Sequence, residues 1–241
     1  MKTEIYFCGV GAAINTTSNH SSYLINSTLL IDAPPLISII LKKQNKEIHL
    51  IDNIIITHLH GDHFFGLPFL LIEFLIKKRT NPLIIYGPEN LEAKLIGLLN
   101  LAFPELDYNK VVEAANLKIV TIKNETEHFL SNDIIVHFTR VNHDAETYGL
   151  VLTSQQIKIF FTSDTAYFDN LPEIIKKCSY CVADATSRNF RIKGHMTYED
   201  VLKLALKLPN VTFFIIHRAS FEEQEKHHNI IFPQDYDSYK L

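Results

Sequence analysis

Residues 56–68, ITHLHGDHFFGLP, put three histidines and an aspartate into six consecutive positions, directly behind an apolar run. Imidazole nitrogen and carboxylate oxygen are the standard ligands of zinc and similar divalent cations. Residues 53–57 are short, apolar and β-branched, the pattern of a buried strand, so the strand end delivers the cluster onto a loop. His58 and His60 are two apart and can aim both rings at one ion. Asp62 and His63 are adjacent and point elsewhere, at a second ion. Gly61 permits the sharp turn between the pairs.

One ion takes three or four protein ligands and two ions take more, so the rest of the chain must supply them. His143 in TRVNHDAETYGL, Asp164 in FFTSDTAY and His217 in FFIIHRAS each follow an apolar strand pattern. They repeat one arrangement, strand then ligand, and active sites in α/β sheets gather at such strand ends.

The periodicity predicts strands at 4–8, 22–31, 53–57, 83–86, 117–122, 133–141, 147–153, 157–162, 180–184 and 211–216. Helices are expected at 35–43, 67–78, 89–101, 171–177 and 197–207. Mixed strands with interspersed helices imply a layered α/β fold. With 241 residues, 46% of them hydrophobic, and no repeat or Pro/Gly/Ser linker, one continuous domain over 1–241 is expected, residues 221–241 forming a tail without assignment. Thr197 and Asp200 are spaced to cap the helix over 197–207.

Net charge is −4, with a pI near 6.3, which argues against a long nucleic acid as partner. Cys8, Cys178 and Cys181 are no disulfide framework and point to a reducing, cytoplasmic setting. Cys178 and Cys181 have CxxC spacing but read as core. No run of about 18 uncharged apolar residues exists, so no membrane span is expected. Residues 1–14 read as a first strand.

HLHGDH, a later lone histidine, an aspartate in a T-x-D-T setting and a final histidine together resemble the metallo-β-lactamase superfamily over nearly the whole chain. FCGVGAA is similar to that family's first strand and turn, and LIIYGPENLEAKL to its ribonuclease Z-like branch. The resemblance implies a four-layer αββα sandwich with a dinuclear site. His58, His60 and His143 would hold one ion, and Asp62, His63 and His217 the other, with Asp164 bridging. Zinc is expected, with manganese or iron as alternatives.

VADATSRNFRIKGHMTYEDVLKLA resembles the same branch's pair in which an acidic residue orients a histidine; the positions are Asp184 and His195, aspartate replacing the more usual glutamate. A carboxylate on an imidazole fixes its tautomer and favours its protonated form. The implied reaction is attack by a metal-generated hydroxide on a phosphodiester, Asp62 and Asp184 contributing and His195 acting as general acid. His20, Ser21 and Ser22 could line a substrate loop. Arg188, Arg191 and Lys193 could hold a phosphate or merely solvate their loop. Arg218 and Ser220 could support His217.

In the branch's bacterial tRNA-processing members a long arm lies between the third histidine and the bridging aspartate. Here one strand hairpin fills the interval from His143 to Asp164, so the arm is absent. A small phosphodiester, a cyclic nucleotide above all, is the expected substrate. The alternatives are a ribonuclease Z-like endoribonuclease, a thioesterase or lactonase, and a non-hydrolytic metal-binding or di-iron redox protein. Related enzymes pair beside the metal motif, so a homodimer is expected, with FFGLPFLLIEFLI as the candidate contact.

Overall fold

The computed structural model describes residues 2–15, 17–77, 79–130, 133–219 and 227–241. Ser220 and residues 221–226 lie outside the described residues. Among the described residues, the first seven-stranded sheet comprises β1 (Glu4–Gly9), β2 (Ser22–Ile25), β3 (Leu29–Ile31), β4 (Asn53–Ile55), β5 (Leu83–Gly87), β6 (Leu117–Thr121) and the last strand, β14 (Ser238–Lys240). Its order is β14-β1-β2-β3-β4-β5-β6. The second sheet holds β7 (Thr126–Phe129), β8 (Ile134–Arg140), β9 (Tyr148–Ser154), β10 (Ile157–Phe161), β11 (Tyr180–Asp184), β12 (Thr212–Ile216) and β13 (Ile230–Ile231), paired in the order β13-β12-β11-β10-β9-β8-β7.

The inner faces of both sheets close on one aromatic core. Phe7 meets Phe214 at 5.4 Å between ring centroids, Tyr23 meets Phe161 at 5.4 Å, and Phe214 meets Tyr239 at 4.9 Å. Helices α1 (Ile37–Lys43), α2 (Gly61–Phe64), α3 (Leu67–Ile76), α4 (Leu91–Ala102) and α5 (Tyr108–Ala115) belong to the first half of the chain. Their apolar residues, among them Ile37, Leu70, Phe74, Leu95 and Val111, cover the outer face of the first sheet. Helices α6 (Leu171–Ile175) and α7 (Tyr198–Lys207) cover the second. The layers are helix, sheet, sheet, helix, as expected.

Several sequence expectations need correction. Residues 22–31 form a hairpin rather than one strand, because Asn26 and Ser27 take left-handed φ of 48° and 63° and turn the chain. Helices α2 and α5 were not anticipated: Asp62 and His63 lie in the one-turn helix α2 rather than on a loop, and α5 has a narrow apolar face (Val111 and Ala115), yet Asp107 caps its start and Asn116 ends it at φ 45°. Strands β7, β13 and β14 also went unanticipated. They are two to four residues long and lie at or next to sheet edges. The tail, unassigned from sequence, runs through β13 and returns to pair with β1. Cys178 and Cys181 are buried free thiols, as their core reading required. No described helix is long and apolar enough to cross a membrane.

Strand direction decides where the strand ends meet. β8 runs antiparallel to β9 and β9 to β10, while β10, β11 and β12 are mutually parallel. The C-terminal ends of β8, β10, β11 and β12 therefore share one edge. The end of β4 joins them, with the Tyr148 N–H donating to the Thr57 carbonyl at 3.1 Å. At this edge Asp32, Ser163 and His217 adopt φ of 60°, 54° and 56°. That conformation is strained for L-residues. The Ser163 hydroxyl is also buried with no protein hydrogen-bond partner. Ser163→Gly removes the strain and the orphaned hydroxyl together. Thermal melting of the chelator-treated protein should show a stabilisation of about 1 kcal/mol, a rise of roughly 2–4 °C for a chain this size. A lower melting temperature would refute the strain argument.

Candidate metal centre

All seven candidate ligands converge at the shared strand ends. The β4 exit supplies His58 and His60, and Asp62 and His63 sit in the first turn of α2. His143 follows β8, Asp164 follows β10 and His217 directly follows β12. Their ligand atoms fall into two sets, each within 4.8 Å: His58, His60, His143 and Asp164; and Asp62, His63, His217 and Asp164 again. Asp164 Oδ2 lies 3.6 Å from His58 Nε2, 3.4 Å from His63 Nε2 and 3.3 Å from His217 Nε2. His143 Nε2 is 3.2 Å from His60 Nδ1. Asp62 Oδ2 is 3.2 Å from His63 Nε2 and 3.5 Å from His217 Nε2.

The opposite ring nitrogens are tied to protein. His63 Nδ1 contacts Asp32 Oδ2 at 2.8 Å, and Asp32 also accepts from the Thr57 N–H at 2.8 Å. His143 Nδ1 donates to the Gly194 carbonyl at 2.9 Å. His217 Nδ1 pairs with the Thr186 hydroxyl at 2.8 Å. Such contacts fix ring orientation and leave the other nitrogen free to ligate. Gly194 is required there: its φ is +79°, and a Cβ would lie 2.6 Å from His143 Nδ1.

A divalent cation fits this set. His58 Nε2 and His63 Nε2 are buried and find no hydrogen-bond partner. Two orphaned imidazole nitrogens facing a shared carboxylate are costly, and a cation in each ligand set would satisfy them. Nitrogen and oxygen donors suit zinc, manganese or iron.

Asp184 and His195 join the centre from the β11 end and the approach to α7. His195 Nδ1 lies 2.9 Å from Asp184 Oδ2, so the aspartate is long enough to reach the ring. Asp184 is fully buried and also accepts from the Thr165 N–H at 2.9 Å and the Thr186 hydroxyl at 2.8 Å. The His195 ring stacks on His217 at 5.1 Å and 9° and meets His143 edge-on at 5.0 Å. It is wedged between rings of both ligand sets.

Asp32 and Thr186 were missed in the sequence. Asp32 follows the apolar LLI of β3, the same strand-then-acid pattern that marked Asp164. Arg191 and Lys193 do not line the centre as free cations. Arg191 grips Asp200 through both terminal nitrogens at 2.7 and 2.9 Å, and Lys193 pairs with Asp144 at 2.9 Å. Ser21 and Ser22 are buried, donating to the carbonyls of Gly11 and Asp32. His20 contacts the Ala13 carbonyl at 3.3 Å.

Burial and the neighbouring His63 hold His58 well below the ordinary imidazole range, and burial with His143 lowers His60. For His63 and His217 burial is outweighed by carboxylates. Asp164 and Asp32 raise His63, and Asp164, Asp184 and Asp62 push His217 up to about 10. Protons and cations thus compete for His63 and His217. Because both pKa values are raised, a proton on either ring must leave when a cation enters. Zinc affinity, measured against a competing chelator from about pH 6 to pH 8, should rise with pH by up to ~10-fold per unit for each proton displaced. A pH-independent affinity would show that these nitrogens carry no proton for a cation to displace.

Two facing mixed sheets between helical layers, with a histidine–aspartate cluster at their shared strand ends, define the metallo-β-lactamase fold. Human tRNase Z, short form, superposes at a TM-score of 0.77 with 21% identity, covering 98% of each chain. A diphosphatase of the PhnP family superposes at 0.79 with 17% identity, covering 100% of this chain and 98% of that one. Within this fold the chain belongs to the family described as anti-Pycsar protein Apyc1, whose profile matches residues 3–233. Ribonuclease Z of Lachnoclostridium phytofermentans is 34% identical over 129 residues, 54% of this chain and 40% of that protein. The match spans two fifths or less of the length of this relative and of the ribonuclease Z proteins of Agathobacter rectalis and Bacillus cereus.

Proposed function

We propose that the chain is a dinuclear-metal phosphodiesterase that hydrolyses a small phosphodiester, a cyclic nucleotide. The observation that carries this is the Asp184–His195 pair wedged between the two ligand sets, since a metal centre alone would serve many hydrolyses. Membership of the Apyc1 family and the short hairpin between His143 and Asp164 support a small substrate.

His58, His60 and His143 would hold one ion, Asp62, His63 and His217 the second, with Asp164 shared. Divalent cations there supply Lewis-acid activation of water and neutralise phosphate charge. His195 does the proton work. Asp184 occupies Nδ1, so Nε2 is the nitrogen that carries the mobile proton. Burial opposes the charged ring, but the Asp184 hydrogen bond and charge prevail and hold His195 above the usual imidazole range. The acid form is therefore favoured over that of a free imidazole and is lost as pH rises through that raised value. Buttressed by the His217 and His143 rings, the protonated nitrogen is placed to donate to the departing oxygen.

The 34% identity to a ribonuclease Z keeps a second reading alive, an endoribonuclease acting at RNA 3′ ends. A panel of 3′,5′- and 2′,3′-cyclic nucleotides, cyclic dinucleotides, bis-p-nitrophenyl phosphate, an acyl thioester and a tRNA precursor separates the readings. Turnover should be confined to phosphodiesters and favour the cyclic nucleotides. Cleavage of the tRNA precursor alone would overturn this. On the preferred substrate, His195→Ala should cut kcat by about 10²–10⁴-fold and abolish the alkaline limb of the pH profile while metal content stays near wild type. Loss of metal would instead make His195 a ligand.

The proposal extends to assembly as a homodimer. Phe65 and Phe69 are each about half exposed beside the metal motif, and Leu101 on α4 is 81% exposed. Phe65 and Leu101 line one groove with Leu59, Phe64 and Leu98. Contiguous exposed apolar surface of this kind marks a contact face, and a second copy is its proposed occupant. Light scattering should return twice the chain mass, and Leu101→Glu should return the monomer. A monomeric wild type would refute the pairing.

A further inference from the structure

His217 is the ligand whose backbone most needs support. It occupies φ 56°, left-handed for a non-glycine residue, on the turn leaving β12. That turn is clamped from two sides. Towards β11, the Ala185 N–H donates to the Ile216 carbonyl at 3.0 Å and the Ala219 N–H to the Thr186 carbonyl at 2.9 Å. Towards β1, the Arg218 N–H donates to the Val10 carbonyl at 3.1 Å, and the Ala12 N–H to the Arg218 carbonyl at 3.0 Å. The second clamp is only as firm as the segment after β1.

The C-terminal segment holds it. Asp235 Oδ1 accepts the Val10 N–H at 3.2 Å and Oδ2 accepts the Asn19 N–H at 2.7 Å, closing both ends of the loop between β1 and β2 with one carboxylate. Asn19 passes the restraint back: its side-chain amide donates to the Cys8 carbonyl at 3.1 Å and the Tyr236 hydroxyl at 3.0 Å, and its carbonyl accepts the Gly11 N–H at 2.8 Å. Arg218 is buried, donates to the Pro233 carbonyl at 2.5 Å and lies over the Phe232 ring. The Tyr236 N–H donates to the Phe7 carbonyl at 2.7 Å. The tail, the β1 exit and the His217 turn thus form one knot with Asp235 at its centre.

We propose that Asp235 is a positioning residue for His217, and that the C-terminal segment is thereby part of the scaffold of the second ion site. The inference rests on the two-ion reading of the centre. Asp235 makes no hydrogen bond to any of the candidate ligands. It acts through the backbone of Val10 and Arg218, and so should affect one ion and not the other. His58, His60 and His143 take their support from Thr57, Gly194 and the β4 and β8 ends.

The test is calorimetric titration of chelator-treated full-length protein with zinc, comparing wild type, Asp235→Asn, Arg218→Lys, His217→Ala and His143→Ala, with thermal melting of each in excess chelator. Replacing a residue that orients a ligand typically costs about 10–100-fold in metal affinity. Asp235→Asn and Arg218→Lys should each weaken one of two binding events by that factor and spare the other. The pattern should match His217→Ala and differ from His143→Ala. Two binding events as tight as wild type in Asp235→Asn would overturn the proposal. So would equal loss of both events together with a lower melting temperature, the signature of general destabilisation. Fewer than two events in the wild type would refute the two-ion reading itself, before any variant is compared.

Discussion

Asp164 is buried with one carboxylate oxygen 3.3 to 3.6 Å from ring nitrogens of His58, His63 and His217. A carboxylate withdrawn from water costs several kcal/mol unless its charge is met at close range. Here the groups that meet it come from the ends of β4 and β12 and the start of α2, thus from both sheets. The condition is architectural. Both sheets must end at one edge, with β8, β10, β11 and β12 running the same way. The aromatic core between the sheets sets their separation; the Tyr148–Thr57 hydrogen bond pins the two sheets together at the edge itself.

The same edge concentrates backbone strain. Asp32, Ser163 and His217 leave β3, β10 and β12 in the left-handed region. A strand end that continued extended would throw the next side chain above or below its sheet. A single left-handed residue turns the chain sharply, so a carboxylate or imidazole can project along the strand direction, over the sheet edge. Strain of this kind persists only where surroundings over-determine it, and here they do. Asp32 is locked by Thr57 and His63, and His217 by clamps towards β11 and β1. The cost falls on the residues that hold or orient the proposed ligands.

Much of the centre was legible in the chain because its rule is local: apolar strand, then ligand. His143, Asp164 and His217 are found by it, and Asp32, behind LLI, obeys it too. Asp32 escaped notice because it serves another ligand rather than a cation. Thr186 and the Gly194 carbonyl left no readable signal, since a backbone carbonyl has no identity in sequence and a threonine is ordinary. In the fold, long apolar segments were legible and short edge strands were not. β13 and β14 draw their pairing from partners far along the chain. The hairpin at Asn26–Ser27 lacks the glycine that usually announces such a turn, and its two strands are both fully buried, so apolar residues continue on either side of it.

The charge arrangement around His195 bears on what the centre can accept. Arg191, beside the proposed acid, is engaged by Asp200, the residue whose carboxylate also caps α7 through the Thr197 N–H. Lys193 is engaged by Asp144, next to His143. These pairs hold the loop from Ser187 to His195 in place and engage two of its three basic side chains, leaving Arg188 as the one without an acidic partner among the described residues. With 23 basic against 27 acidic residues overall, a long nucleic acid would find few phosphate contacts, and its affinity depends on their number. The proposed substrate, with one phosphodiester, would need only the charge at the centre itself: cations held by the two ligand sets and a proton on His195. The acidic balance, the short hairpin and the paired Arg191 and Lys193 thus all agree with the proposed small substrate, whose recognition would rest on the reacting group and its immediate surroundings.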